Sequence, residues 1–261
     1  MKQKAVILAA GLGRRLAPVL RGVPKPLLTL RGGTLLEAVI NWMKNIPGMD
    51  ALYISVGYKH REVAEKFRDI MKYSNLAAGV FRGTGMPGTS YWLFDFNDAF
   101  INGRMKTDTL WVSTADNIMD ADLGAVIREY NRLGKPSVMI LPSGYNGDRL
   151  TGDYFLLDAG RRAVAVARDP LRFGRCRPGR RILASGIQIL NPLRMYDVLG
   201  GKRYCDFPRL WESLIGSNEV YISGVEPIRW GHIDTPEDYA RELEQISAGN
   251  SAYTRYLGRE A

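Results

Sequence analysis

The run Ala5-Val-Ile-Leu-Ala-Ala-Gly-Leu-Gly13 contains no charged or polar side chain and is the longest such stretch in the chain. It is far shorter than the roughly 20 apolar residues a membrane-spanning helix needs, so its surface must be buried inside the protein. Lys2 and Lys4 give it the outline of a signal peptide, but Arg14 and Arg15 follow and no A-x-A cleavage pattern appears. It reads as a buried strand, Lys4–Leu8, that ends in a glycine-rich turn.

The pattern after that turn sets the fold class. Thr34 and Glu37 have capping-box spacing and open a helix of about 12 residues, to Ile46. Leu35, Val39, Trp42, Met43 and Ile46 share one face of it. A strand is predicted at 51–56, a helix at 60–71, a strand at 78–81 and a helix at 89–100. A strand at 110–114 runs into Asp116, followed by a helix marked by Leu123, Val126, Ile127 and Tyr130, and a strand at 137–141. Beyond about residue 145 the pattern becomes antiparallel. It shows a hairpin of 154–157 and 163–167, a strand at 182–190, two short helices, a hairpin over 220–230 and a helix from 236 to 246. These elements predict an α/β fold: a doubly wound, mostly parallel, Rossmann-like sheet with an antiparallel, substrate-binding extension. A chain of 261 residues, 46% of them hydrophobic, is ample for one such domain.

Composition narrows the function. Cys176 and Cys205 form no close pair, so a disulfide framework is not expected and a reducing cytoplasm is the default location. Two histidines, His60 and His232, are too few for a multi-histidine metal site. The net charge of +9 is concentrated in residues 161–181, where eight arginines face one acid, Asp169. Such a cluster attracts phosphorylated metabolites, or it is simply a solvated basic loop. Nucleic acid is not the expected partner, because no recognised binding motif accompanies the cluster. Trp211 and Tyr221 are candidates for a homodimer interface, with a core position the plainer expectation.

The first turn carries the chemistry. The segment Leu8-Ala9-Ala10-Gly11-Leu12-Gly13-Arg14-Arg15-Leu16 is followed by Pro24-Lys25-Pro26. A dinucleotide fingerprint would need a third glycine where Leu16 stands, and no Gly-Lys-Ser/Thr follows to make a P-loop. What remains is a turn at a strand's carboxyl end, where Gly11 and Gly13 let backbone N–H groups approach a phosphate. Arg15 and Lys25 supply cations suited to a triphosphate. A tight connection and a surface lysine are the alternatives when each part is taken alone.

The pattern L-A-A-G-x-G-x-R-L with a downstream Pro-Lys-Pro resembles the nucleotidyltransferases that make NDP-sugars and CDP-alcohols. Gly88-Thr89 looks like that family's glycine-rich element near the base and acceptor. Trp111-Val-Ser-Thr-Ala-Asp116-Asn117 looks like its strand ending in Ala-Asp, and Trp230-Gly-His-Ile-Asp234-Thr-Pro-Glu-Asp238 like its closing signature. The resemblance implies an enzyme in which an acceptor phosphate attacks the α-phosphorus of an NTP and pyrophosphate leaves. Leu8, Ala9, Ala10, Gly11, Gly13, Arg14, Gly88 and Thr89 would bind nucleotide, and Arg15 and Lys25 would be catalytic. Asp116 and Asp234 would hold Mg²⁺, although either could instead be a helix cap. His232 would stand near the metal, where many of these enzymes have aspartate.

Two departures from the family pattern bear on specificity. Position 14 is arginine where Thr or Ser is usual. The family's Glu-Lys-Pro is replaced by Arg168-Asp169-Pro170, so Arg168 and Arg172, with Gly186, become the candidates for binding a phosphorylated acceptor. The Ile-Asp-Thr-Pro-Glu-Asp spacing looks more like cytidylyltransferases acting on phosphocholine or inositol phosphate, which favours CTP. The rivals are a sugar-1-phosphate uridylyl- or guanylyltransferase and a non-catalytic nucleotide-binding protein. The resemblance treats the chain as one domain, with nucleotide binding in about 1–145, acceptor binding in about 146–235, and a terminal helix and tail in 236–261.

Overall fold

The computed structural model describes residues 2–82, 100–101, 103, 105–145, 152–173, 181–202, 204 and 206–258. In chain order the described elements begin with β1 (Gln3–Ala9), α1 (Ala17–Leu20), β2 (Thr29–Leu30), β3 (Gly33–Thr34) and α2 (Leu35–Lys44). They continue with β4 (Met49–Val56), α3 (His60–Met71), β5 (Ala77–Arg82), β6 (Leu110–Thr114) and β7 (Asn117–Asp120). Then come α4 (Leu123–Arg132), β8 (Val138–Pro142), β9 (Tyr154–Leu157), β10 (Ala163–Ala167) and β11 (Arg181–Leu190). The last are α5 (Pro192–Leu199), α6 (Phe207–Ile215), β12 (Val220–Ile222), β13 (Arg229–His232) and α7 (Pro236–Ser247). The helix expected at 89–100 lies outside the described residues except for Phe100. Among the described residues no helix is long and apolar enough to cross a membrane.

The chain forms two compact units. One gathers the described residues of 1–86, 112–120 and 228–261. In it β1 pairs parallel with β4, Val6 beside Tyr53, and β4 pairs parallel with β5, Ile54 beside Val80. The end of β6 lies on the other side of β1. Ala5, Val6 and Ile7 are fully buried, as a parallel strand covered on both faces requires. The α2 capping box forms: the Thr34 N–H donates to Glu37 Oε2 at 2.7 Å, and the Glu37 N–H to Thr34 Oγ1 at 3.3 Å. This helix buries Leu35, Leu36, Val39, Ile40, Trp42 and Met43; α3 buries Val63, Ala64, Phe67 and Met71. The helical spacing in the sequence therefore marked the inward faces.

The other unit holds the described residues of 87–111 and 121–227. Here β11 pairs antiparallel with β9 through Arg181–Leu183 and with β8 through Ala184–Leu190, and β10 closes a hairpin on β9. Trp211 on α6 packs edge-on to Phe155 and stacks on Phe207, and its Nε1 donates to Gln188 Oε1 at 3.0 Å. Trp211 is thus a core residue. Parallel pairing in the first unit and mainly antiparallel pairing in the second give the expected fold class, a Rossmann-like α/β fold with an antiparallel part.

One expected hairpin does not form. β12 pairs parallel with β8, whereas β13 pairs antiparallel with β7, a strand the sequence pattern did not indicate. Both partners lie more than 80 residues away in sequence, and local alternation carries no information about such pairings.

Candidate active site

All the residues that converge here belong to the first unit. β1 delivers the chain to an exposed turn at Ala10–Leu12, and the buried Leu16 anchors its far end. Gly13 lies in the left-handed region at φ +62, where a side chain would be strained. A Cβ on it would also stand 2.9 Å from Leu20 Cδ1 and 3.2 Å from Lys25 Cβ, so the glycine lets the turn close on Lys25. Gly11 differs: a Cβ there would meet no atom within 4 Å. Its lack of a side chain answers no packing demand of the protein and leaves the turn's outer face open.

Asp116 follows β6, whose end is fixed to β1 by the Ala115 N–H donating to the Leu8 carbonyl at 3.0 Å. Its side chain is only 12% exposed and accepts from Lys25 Nζ. The same ammonium donates to Asp234 Oδ1 at 3.1 Å, and Arg15 pairs with the other Asp234 oxygen. One lysine thus bridges two carboxylates that are 118 positions apart in sequence. Burial raises the Asp116 carboxyl, but the Lys25 and His232 charges and hydrogen bonds from Lys25 and Thr114 outweigh it. They hold the carboxyl below the usual aspartate range.

Neither aspartate serves as a helix cap. Thr235 caps α7, completing a capping box with Asp238, while Asp234 turns to the cations. Asp116 sits in the turn between β6 and β7. His232 at the end of β13 completes the group: one ligand atom each from Asp116, His232 and Asp234 lie within 4.8 Å of one another. Two carboxylates and an imidazole at that spacing are close enough for a single divalent cation to gather, and carboxylate oxygens suit a hard ion.

Three supporting residues were not among the expected site residues. The Tyr253 hydroxyl donates to the Asp116 carbonyl at 2.6 Å, and Asn117 Nδ2 to Asp116 Oδ1 at 3.2 Å. Trp230 Nε1 donates to Asn117 Oδ1 at 3.1 Å, and the Trp230 and His232 rings stack 5.1 Å apart. An aromatic residue near the end of the chain has no motif that would mark it. Trp230 and Asn117 lay inside motifs, but nothing in those motifs indicated that they would meet.

Gly88 and Thr89 lie outside the described residues. Arg168, Arg172 and Gly186 belong to the second unit. Arg168 is 82% exposed and 3.7 Å from Asp153, and Arg172 is exposed. Gly186 takes φ +85 at an irregularity in β11, an exposed bulge of the kind that re-aims neighbouring side chains. Part of the arginine cluster is structural: Arg161 donates to the Ile222 and Ser223 carbonyls, and the Arg181 guanidinium lies over the Tyr154 ring. Arg175, Arg177 and Arg180 lie outside the described residues.

A glycine turn at a strand's carboxyl end lies where open α/β sheets bind their ligands. Residues 5–116 match the MobA-like NTP transferase domain, a stretch that runs from β1 to Asp116 itself. Among curated proteins, the chain is 26% identical over 148 residues to a UTP–glucose-1-phosphate uridylyltransferase of Synechocystis sp. That alignment covers 52% of this chain and 36% of the relative. It is 42% identical over 57 residues to a 2-aminoethylphosphonate cytidylyltransferase of Lancefieldella rimae, covering 22% and 23%. These alignments thus span little more than a third of the relatives' lengths, or less. The inositol-1-phosphate CTP transferase structure from T. maritima superposes with TM-score 0.65 at 17% identity, over 96% of this chain and 98% of that one. The resemblance read from the motifs therefore holds: in sequence and in fold the chain is similar to nucleotidyltransferases.

Proposed function

We propose that this protein is a Mg²⁺-dependent nucleotidyltransferase that transfers NMP from an NTP to a phosphorylated small molecule and releases pyrophosphate. The observation that carries this reading is the meeting of Lys25, Arg15, Asp116 and Asp234 beside the open glycine turn at the end of β1. An oxygen of the acceptor's phosphate forms a bond to the α-phosphorus as the α–β bridging bond breaks, and the electron pair leaves with pyrophosphate. Such a transfer needs positioning and charge neutralisation rather than a protein nucleophile.

Each residue has a role in that scheme. The turn at Gly11 and Gly13 admits the phosphates to backbone N–H groups. Arg15, 64% exposed, would turn from Asp234 to the β- and γ-phosphates, and Lys25 balances charge at the α-phosphoryl group. Asp116 and Asp234 would hold the Mg²⁺, which when bound neutralises phosphate charge. Arg168 and Arg172, with the Gly186 bulge, are the candidates for the acceptor's phosphate.

CTP is favoured as donor by the Ile233-Asp234-Thr235-Pro236-Glu237-Asp238 spacing and by the similarity to a cytidylyltransferase. Similarity to a uridylyltransferase supports the rival, transfer of UMP to a sugar 1-phosphate. Pyrophosphate release measured with each of five NTPs and a panel of phosphocholine, inositol phosphate and hexose 1-phosphates separates the two. Asp116→Ala and Asp234→Ala are expected to abolish turnover in folded protein, and Lys25→Ala to lower it by about 10²–10³-fold. Undiminished release in both aspartate variants overturns the metal assignment. No release with any acceptor, despite NTP binding, overturns the enzyme reading.

A further inference from the structure

The chain places a histidine among the carboxylates, so the donor set is not oxygen alone. His232, Ile233 and Asp234 alternate: Ile233 is fully buried, while the residues on either side of it turn to the site. The His232 side chain is 15% exposed, and its ring orientation is fixed from several directions. It pairs across the β7–β13 ladder with Asn117, the residue next to Asp116. It stacks on Trp230 with an interplanar angle of 16°, and Trp230 is itself bonded to Asn117. Asp238 Oδ2 stands 4.0 Å from His232 Nδ1. That carboxylate is fixed by the Asp234 and Thr235 N–H groups at 3.1 Å and by Arg241 at 2.7 Å. At that distance the carboxylate acts on the ring as a nearby negative charge and not through a hydrogen bond.

We propose that His232 supplies a nitrogen ligand beside Asp116 and Asp234, so that the site takes Mn²⁺ in preference to Mg²⁺. The inference rests on the reading of those two aspartates as cation ligands and replaces the Mg²⁺ of that reading by Mn²⁺ as the preferred ion. Mg²⁺ favours an all-oxygen shell, whereas the first-row transition ions accept imidazole nitrogen more readily, and Mn²⁺ is the one among them that shares with Mg²⁺ a preference for carboxylate oxygens. Replacing the imidazole by a carboxylate converts the set to oxygen alone and removes the discrimination.

The test is direct ion binding to the full chain without nucleotide. Titration calorimetry gives the Mn²⁺ and Mg²⁺ dissociation constants for the wild type, His232→Asp, His232→Ala and Asp234→Ala, each checked for folding by circular dichroism. Pulsed electron paramagnetic resonance of bound Mn²⁺ reports a directly coupled ¹⁴N. The wild type is expected to bind Mn²⁺ at least tenfold tighter than Mg²⁺ and to show the nitrogen coupling. His232→Asp is expected to lose the coupling and cut the Mn²⁺/Mg²⁺ ratio severalfold. His232→Ala is expected to lose more affinity for Mn²⁺ than for Mg²⁺. No nitrogen coupling in the wild type, or an unchanged ratio in His232→Asp, overturns the proposal. If Asp234→Ala still loses both ions in that case, the carboxylate site stands and only the role of His232 falls. Unchanged binding in Asp234→Ala removes the underlying site reading as well.

Discussion

The hydroxyl of Tyr253 donates a 2.6 Å hydrogen bond to the backbone carbonyl of Asp116, tying the end of the chain to the turn that presents the central carboxylate. Tyr253 is fully buried, and its ring lies so close to β13 that a Cβ on Gly231 would stand 2.5 Å from it. Burial, and then the negative charges of Asp116, Glu242 and Asp238, push the phenol well above its usual range, so it remains a hydrogen-bond donor. Tyr253→Phe leaves the ring packing in place and removes only the donor. A buried carbonyl left without its partner costs about 1–3 kcal/mol, so the urea midpoint should fall by a corresponding amount with no change in slope. An unchanged midpoint would mean that the carbonyl has found another donor.

Much of the architecture was legible because its signals are local. Thr34 and Glu37 lie within one turn of each other, and the apolar spacing of α3 reports its own buried face. Lys25, Asp116 and Asp234 were legible only through motif resemblance, since nothing between them in sequence says that one ammonium will bridge two carboxylates. The expected hairpin over 220–230 failed because β12 and β13 each take a distant partner. β7 escaped notice because four residues, Asn117–Asp120, are too few to show a period. Tyr253 and the Trp230–Asn117 pair are tertiary facts with no local trace.

Gly13 tests whether the turn's backbone geometry matters. Gly13→Ala places a side chain at φ +62, at a cost of about 1–2 kcal/mol. It also crowds Leu20 and Lys25. Thermal unfolding should shift down, and nucleotide affinity, measured by the stabilisation each NTP confers, should weaken. Gly11→Ala meets no protein atom, so it should leave the stability of the free protein nearly unchanged. A loss of nucleotide affinity in Gly11→Ala without a loss of stability would locate the ligand on the open side of the turn. Retained affinity would place it elsewhere.

Glu242 on α7 is buried and accepts from Ser251 Oγ at 2.7 Å. Burial raises its carboxyl, and the proximity of Asp238 adds to this, against smaller opposing effects of Ser251 and Arg241. The folded state therefore holds this proton more tightly than the unfolded chain does. Stability is then lost as pH rises from the ordinary glutamate range through the raised value. Glu242→Gln keeps an oxygen for Ser251 and removes the titration. The variant should be more stable than the wild type at neutral pH, and the two should converge in acid. A variant less stable at neutral pH would show that the ionised carboxylate is a net stabiliser there.

Lys25 holds two carboxylates together, and its removal should expose what they attract. Its side chain is 13% exposed, Asp116's 12% and Asp234's 17%, so solvent screens the trio little. Lys25→Met keeps the length of the side chain and removes the charge, leaving Arg15 as the remaining cation paired with Asp234. Breaking a buried pair from one side costs about 3–5 kcal/mol, and exposure of Arg15 limits how far it compensates. The variant should melt well below the wild type in the absence of divalent ions. A cation that binds the vacated carboxylates stabilises the folded state in proportion to the logarithm of its concentration over the dissociation constant. Added Mn²⁺ or Mg²⁺ should therefore raise the variant's melting temperature by more than the wild type's, even though nucleotidyl transfer by the variant is expected to fall by about 10²–10³-fold. Equal shifts in the two proteins would show that Lys25 does not compete with an ion for Asp116 and Asp234.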